Sequence, residues 1–342
     1  MLVRKAFSRC GAINNLQSSA SSCPLPVVHS KCPWSSTLVA GLPAVMFDCH
    51  AHLTDSSLAE GLHQTLLEAE AAGVTGIVAV SESLDDATPV VELCASINDD
   101  ASRCRKLRLH PSIGMHPEKA DVHKVDDVLE LIDKHADTIV CVGEVGLDFS
   151  RHLIGESGGE RAERAKEVQR EVFRRQARRA KELGLAVNVH SRSAGHHAIS
   201  LLQEEGITRA VLHAFDGKPK DNGLITAEIQ QTFRVQEYLA TAGGEKERYA
   251  VQAAKAGYFF SVPPIVCRSS GFQSLVKALP LESLVLETDS PALGPEKGVG
   301  NVPGNLSVSR DWIASLKGVP ADVVAETTTA NARRLFPRAF DR

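Results

Sequence analysis

His50 and His52 stand two positions apart in Phe47-Asp48-Cys49-His50-Ala51-His52. On an extended strand residues two apart share a face, so the two imidazoles should point together while Cys49 faces away. Paired imidazoles make a seat for a divalent cation. A lone pair of this kind also falls on surfaces by chance, so its weight depends on company. That company is present: Val142-Gly143-Glu144 offers a carboxylate beside a glycine, and Asn188-Val189-His190 and Val211-Leu212-His213 each end in an imidazole. Leu286-Glu287-Thr288-Asp289 ends in acids. Four histidines with Glu144 and Asp289 suit zinc, manganese or iron, and magnesium where water fills open positions. Two ions about 3.5–4 Å apart need a shared ligand, usually a carboxylate with two oxygens. Glu144 is the expected bridge. His50, His52, Glu144 and Asp289 would hold one ion, and Glu144, His190 and His213 the other. Asp289 could also orient or deprotonate an attacking water.

Something must bring these residues together. Eight short apolar runs punctuate the chain: Val45–Cys49, Gly76–Val80, Leu107–Ile113, Thr138–Val142, Leu185–Val189, Arg209–Leu212, Gly257–Val262 and Ser283–Glu287. Helical patterns fall between them. Leu58, Leu62, Leu66 and Ala69 mark one face of Leu58–Ala72, Val125, Leu129 and Ile132 mark another, and a long charged helix spans about Arg161 to Leu183. This alternation predicts an α/β fold, a (β/α)8 TIM-type barrel of the kind used by metal-dependent hydrolases. Donor residues then lie at the C-terminal ends of five strands, the face on which such barrels build active sites.

Two more groups on that rim could handle substrate. His116 follows the third run in Ser112-Ile113-Gly114-Met115-His116-Pro117, and Arg192 lies two residues beyond His190. A guanidinium there would grip a phosphate or carboxylate. The plainer alternatives are a structural loop histidine and an ion pair to an acid such as Glu287. Arg174, Arg175, Arg178, Arg179 and Lys181 read as a solvated helix face. His110, His123, His135, His152, His196 and His197 show no partner pattern and read as structural.

Composition limits the partners. Lys+Arg 38 against Asp+Glu 42 leaves a formal charge of -4, so any phosphate-binding surface must be local. Aromatic residues are 5%, too few for extended base-stacking platforms. The 8 cysteines form no C-x-x-C pair and read as reduced thiols. No apolar run approaches the roughly 18–20 residues of a membrane span. Residues 1–45 contain no Asp or Glu but carry Arg4, Lys5, Arg9 and Lys31 among many serines. They read as a leader: a disordered extension, an organelle presequence, or sequence upstream of a start at Met46. Residues 46–342 form the expected barrel domain, with a long connection near 218–255 as an insertion. The expected location is intracellular, cytoplasmic or nuclear, or mitochondrial if the leader acts as a presequence.

At these residues the chain resembles the TatD family of metal-dependent deoxyribonucleases. The matching motifs run in order: F-D-C-H-A-H-L at Phe47–Leu53, S-I-G-M-H-P at Ser112–Pro117, G-E-V-G-L-D-F at Gly143–Phe149, and N-V-H-S-R at Asn188–Arg192. L-H-A-F-D-G at Leu212–Gly217, G-Y-F-F-S at Gly257–Ser261 and L-E-T-D-S-P at Leu286–Pro291 complete them. H-S-R-S-A-G at His190–Gly195 and T-D-S-P-A-L-G-P-E-K at Thr288–Lys297 are closest to the subgroup called TatD DNase domain-containing protein 3. The resemblance covers Met46 to about Phe336. It implies a barrel, two divalent metal ions (Zn, Mg or Mn) and phosphodiester hydrolysis, with ligands at His50, His52, Glu144, His190, His213 and Asp289. The leader and the long 218–255 connection depart from the family pattern.

The expected function is cleavage of DNA by a water activated between two metals, as a 3′–5′ or end-directed exonuclease on single-stranded or frayed ends. The alternative is a metal-dependent deacylase or amidohydrolase, such as one acting on mischarged tRNA. Glu144 stands where many binuclear amidohydrolases place a carbamylated lysine, which favours the nuclease. The partner is then nucleic acid and not a membrane. Oligomeric state, DNA against RNA, and strand polarity are not legible.

Overall fold

The computed structural model describes residues 45–100, 104, 106–155, 159–215 and 245–341. The leader at 1–45 (Val45 excepted) and most of the 218–255 connection therefore lie outside the described residues. Only the end of that connection is described, as helix Glu245–Lys255.

Eight strands form the centre: β1 Met46–Ala51, β2 Val74–Val80, β3 Arg108–Ile113, β4 Cys141–Gly146, β5 Ala186–His190, β6 Ala210–Leu212, β7 Phe259–Val262 and β8 Leu284–Leu286. Each runs parallel to its neighbours, and β8 returns to β1 through Asp48 opposite Leu286, closing the barrel. The predicted (β/α)8 architecture is the observed one. Helices between strands cover the outside, where Ile77, Leu109, Val142 and Val187 join helical residues such as Leu66, Val90, Ile132 and Phe173 in one buried apolar cluster.

A second cluster fills the inside. Phe47, Cys49, Val78, Val80, Cys141, Ala186, Val211, Phe259 and Val285 pack together, and Leu335 and Phe336 of the C-terminal segment join them. Phe340 and Phe336 stack near Phe47, ring centroids 4.8 and 6.4 Å away, and plug the end where the strands begin. Such a barrel is packed, not hollow, so chemistry is confined to the opposite rim.

Simple alternation fails at two places that matter. Cys49, expected to face away from the histidines, packs in the inner cluster. The β1–β2 register shifts between Asp48 and Ala51, and the β4–β5 register shifts between Val142 and Val145. Bulges of this type re-aim side chains. Here they let His50 and Glu144 turn inward above a layer that already points inward. Strand β4 also begins and ends later than the apolar run at Thr138–Val142 indicates, so Glu144 lies inside it.

The long charged helix is observed as Glu160–Glu182. Its arginines are not merely solvated. Arg174 and Arg178 reach Glu205 at 3.0 and 2.6 Å, while Arg175 and Arg179 pair with Asp126 and Asp133 on helix Val125–Lys134. They tie neighbouring helices together, each exposed pair contributing at most about 1 kcal/mol. The sequence reading places no helix at Leu84–Asp99, whose pattern is interrupted by Pro89. A capping box between Ser83 and Asp86 starts it, Asp86 accepting from the Glu82 and Ser83 amides.

Candidate metal centre

The six expected ligands converge at the C-terminal ends of the strands. His50 Nε2 and His52 Nε2 are 3.2 Å apart, and each lies 3.4 Å from Glu144 Oε2. Asp289 Oδ1 is 3.6 Å from His50 Nε2 and 3.4 Å from His52 Nε2. A tetrahedral ion with bonds of about 2.0–2.2 Å spaces its donors about 3.3–3.6 Å apart. The donors are thus placed at the edges such an ion requires, and the chemistry of the set fits a divalent cation.

The other oxygen of Glu144 faces a second group. Oε1 lies 2.8 Å from His190 Nδ1, 3.1 Å from His213 Nε2 and 3.6 Å from His116 Nε2. One carboxylate therefore presents one oxygen to each half of the site. Sets of three within ligating distance include His50, His52 and Glu144; His50, His213 and Asp289; and His116, Glu144 and His190. His213 is accordingly shared between halves, its ring stacked on that of His50 at 3.8 Å.

Residues beneath the ligands set their tautomers. Asn188 Oδ1 accepts from His50 Nδ1 at 3.0 Å, and its amide donates to the Cys49 carbonyl at 2.9 Å. His50 is thereby left with a lone pair on Nε2, toward the cluster. Gly143 makes room for this: a Cβ there would come within 2.5 Å of the Asn188 Cβ. Glu287 accepts from His213 Nδ1 at 3.2 Å, from the Ala214 amide and from Ser261 Oγ at 2.6 Å. Behind β1, buried Asp48 accepts from the His50 amide, the Thr288 amide and Thr288 Oγ1 at 3.2, 2.9 and 2.6 Å. The Asp289 amide donates to the His50 carbonyl, and the His52 amide to the Ser290 carbonyl. Asp289 itself sits at φ 55, a left-handed backbone that these bonds hold in place.

The electrostatics follow from crowding. Burial pulls the His52 pKa down, but the carboxylates of Asp289 and Glu144 outweigh it and raise it to about 9. The same balance raises His190, through Asp148 and Glu144, and His213, through Glu144 and Glu287. Burial pushes Glu144 and Asp289 up, yet the surrounding histidines hold both below the usual carboxylate range. Burial dominates His116 and takes it down to about 3. A neutral His116 accepts from the Glu118 amide at Nδ1, 3.1 Å away, so its proton sits on Nε2.

These groups open into a cleft of about 440 Å³. Among the described residues, six carboxylates line it (Asp55, Glu82, Asp86, Glu118, Glu144 and Asp289), and Arg192 is the one permanent cation. Carboxylates gathered this closely repel one another, and cations held among them would relieve that repulsion. Arg192 makes the ion pair to an acid that the plainer alternative expects, with Asp148, its Nη1 at 3.4 Å from Oδ2, in place of Glu287. Its side chain is half exposed and faces the cleft.

Sequence reading missed four contributors. Asn188, Glu287 and Asp148 lie within the quoted motifs, one strand position or one turn from a ligand, but only geometry shows what they hold. Glu82 lies two residues past the end of β2 in Val80-Ser81-Glu82, so the strand-end rule applied to that strand would have found it. Burial raises its pKa.

A family model described as TatD related DNase matches residues 47–337. The Homo sapiens protein named Deoxyribonuclease TATDN3 is 41% identical over 296 residues, spanning 86% of this chain and 95% of that one. An Escherichia fergusonii protein named 3′-5′ ssDNA/RNA exonuclease TatD is 28% identical and spans 86% of this chain and 100% of its own. The crystal structure of YJJV, a TatD homologue from Escherichia coli K12, matches with a TM-score of 0.66 at 23% identity, over 86% of this chain and 99% of that one. At that identity the likeness is one of fold, and it agrees with the barrel described above. With a family model covering most of its length and a relative above 40% identity, the chain belongs to the TatD-related DNase family of metal-dependent hydrolases.

Proposed function

We propose that this chain hydrolyses phosphodiester bonds of DNA at two divalent cations, zinc, magnesium or manganese, working from the ends of single-stranded or frayed substrates. The observation that carries the reading is Glu144: its Oε2 meets His50 and His52 while its Oε1 meets His190 and His213. His50, His52, Glu144 and Asp289 would hold one ion, and Glu144, His190 and His213 the other. Bound there, the pair supplies charge neutralisation for the phosphate and acidification of a water.

The chain's own groups do the rest. Asp289, buried among His50 and His52 and lining the cleft, is placed to take the proton that the attacking water loses. His116 donates from Nε2 toward the centre and is suited to a phosphate oxygen rather than to ligating an ion. Arg192 offers a second grip at the rim. A cleft of this size with one arginine accommodates one or two phosphates, which favours a flexible strand end over the middle of a stiff duplex. The relative named a 3′-5′ ssDNA/RNA exonuclease supports the same direction of attack for this chain. An intracellular place, with access to nucleic acid, is the corresponding expectation. Among the described residues no helix is long and apolar enough to cross a membrane.

The test is digestion of end-labelled linear single strands beside closed circular DNA, with and without chelator. Stepwise loss of the linear strand alone is the expected result. Equal cutting of the circle would replace exonuclease with endonuclease. Parallel assay of a bis-nitrophenyl phosphate and a nitrophenyl ester decides the chemistry, and ester cleavage alone would move the chain to the deacylases.

A further inference from the structure

His152, which the sequence leaves without a partner, has one in the structure. It lies on the short helix Arg151–Ile154, just beyond β4. Its Nδ1 is 2.9 Å from Ser150 Oγ, which leaves Nε2 directed at Glu118 Oε1, 3.6 Å away. The Ser150 amide in turn donates to Asp148 Oδ1 at 2.8 Å, so one turn of chain orients both the imidazole and a fully buried carboxylate. A nitrogen of His152 and an oxygen each of Glu118 and Asp148 lie within 4.8 Å of one another. We propose that Glu118, Asp148 and His152 form a third divalent-cation site at the mouth of the cleft, separate from the centre built on Glu144.

The donor set is one imidazole and two carboxylates. That combination takes borderline to hard divalent ions such as manganese, zinc or iron(II), with water filling the remaining positions. Its parts differ in rigidity. Asp148 is fixed by Ser150, by His190 Nε2 at 3.2 Å and by Arg192 Nη1 at 3.4 Å. Glu118 and His152 are exposed at the rim and can close the remaining distance by side-chain rotation, so the site should fill at higher metal concentration than a wholly buried one. Glu118 also lines the cleft, so an ion held here adds positive charge to a wall otherwise lined by acids.

Arg192 already pairs with Asp148. An ion that draws on the same carboxylate competes with the guanidinium, so filling the third site would turn Arg192 out toward the cleft. Removing Arg192 should therefore favour the ion, the reverse of what loss of a structural salt bridge would do.

The experiment is equilibrium dialysis of the full chain, stripped with chelator and returned to Mn²⁺ over a rising concentration series, with bound metal counted by mass spectrometry. The wild type should take one equivalent more than His152→Ala and one more than Glu118→Gln. Both replaced side chains are exposed, so neither change threatens the fold. Arg192→Gln should keep that last equivalent and fill it at lower Mn²⁺. His50→Ala, which attacks the Glu144 centre, should leave the equivalent sensitive to His152 in place. Equal stoichiometry in wild type, His152→Ala and Glu118→Gln would overturn the third site while leaving the two-ion reading intact. Loss of an equivalent in His152→Ala, with the Glu144 centre failing to bind at all, would do the opposite. A higher Mn²⁺ requirement in Arg192→Gln would overturn the competition for Asp148.

Discussion

The two halves of the proposed metal centre share Glu144 yet are built differently. On the β1–β8 side, His50 turns one nitrogen to Asn188 and the other to the cluster, and main-chain bonds between His50, His52, Asp289 and Ser290 lock the strand ends together. Its donor spacings already match those around a bound ion. On the β5–β6 side, both nitrogens of His190 face carboxylates, Glu144 at 2.8 Å and Asp148 at 3.2 Å. An ion held by both would have to take the place of the proton between His190 and Glu144. Preorganisation therefore differs between halves, and preorganisation sets how much binding energy is lost to rearrangement. The β1–β8 half should hold its ion more tightly.

The largest way to break the comparison is to remove what the halves share. Glu144→Ala takes an oxygen from each, so both ions should weaken and turnover should fall by about three orders of magnitude, roughly 4 kcal/mol of transition-state stabilisation. Metal analysis beside activity checks this. If only one ion were lost, Glu144 would belong to one half and would not be a bridge. In the unaltered protein, stepwise dialysis against chelator should release one ion well before the other. His190→Ala should abolish the early-released ion, and simultaneous release would remove the asymmetry.

A smaller effect separates the orienting groups. Asn188→Ala leaves His50 free to choose its tautomer, and Glu287→Gln weakens the hold on His213. Outer partners of metal-bound histidines are typically worth about 10–100-fold in affinity. Asn188→Ala should therefore weaken the tightly held ion, and Glu287→Gln the loosely held one. Asn188→Ala also leaves the buried Cys49 carbonyl without its donor, at about 1–3 kcal/mol of stability, which thermal unfolding would register. The opposite pairing of variant with ion would reverse the assignment of histidines to halves.

Proton linkage sharpens the same point. Without metal, His52, His190 and His213 are raised above their unfolded value near 6.5 by carboxylates, His52 to about 9. A raised histidine stabilises the fold fully below its unfolded pKa and loses that contribution as pH climbs through the folded one. Chelated protein should thus unfold at progressively lower temperature from about pH 6.5 to pH 9. Ligation needs neutral imidazole, so the increase in melting temperature on adding metal should grow across the same range. A melting temperature in chelator that rises with pH would show that the histidines are not paired as described.

The barrel was legible because burial imposes a pattern on composition. Eight apolar runs separated by helical stretches gave the strand count, and ligands at strand ends gave the rim. What the sequence hides is the third dimension. Alternation alone sends Cys49 outward, whereas register shifts bring His50 and Glu144 inward over it. No spacing rule announces a bulge of that kind. Asn188 in β5 and Glu287 just past β8 look ordinary until their contacts to His50 and His213 are seen. Arg174 and Arg178 look like solvent charges because Glu205, their partner, lies on the next helix in sequence. His152 and Glu118 are separated by strand β4 and the helix before it, and the parallel pairing of β3 with β4 places them side by side.

The smallest expected effect concerns Arg192, on the looser side. Its side chain is half exposed, so solvent screening limits its contact with a phosphate to about 1 kcal/mol. Arg192→Gln should then raise KM for an oligonucleotide about fivefold, with kcat little changed, because the contact forms as well in the ground state as in the transition state. The change should shrink as salt is added, since an exposed charge is screened while buried ligands are not. If Arg192 grips a phosphate beyond the one being cleaved, a short substrate with a single phosphodiester should show less of it than a longer strand. A fall in kcat with unchanged KM would put Arg192 in the chemistry itself, and the rim on that side would then belong to the reacting centre rather than to the path leading into it.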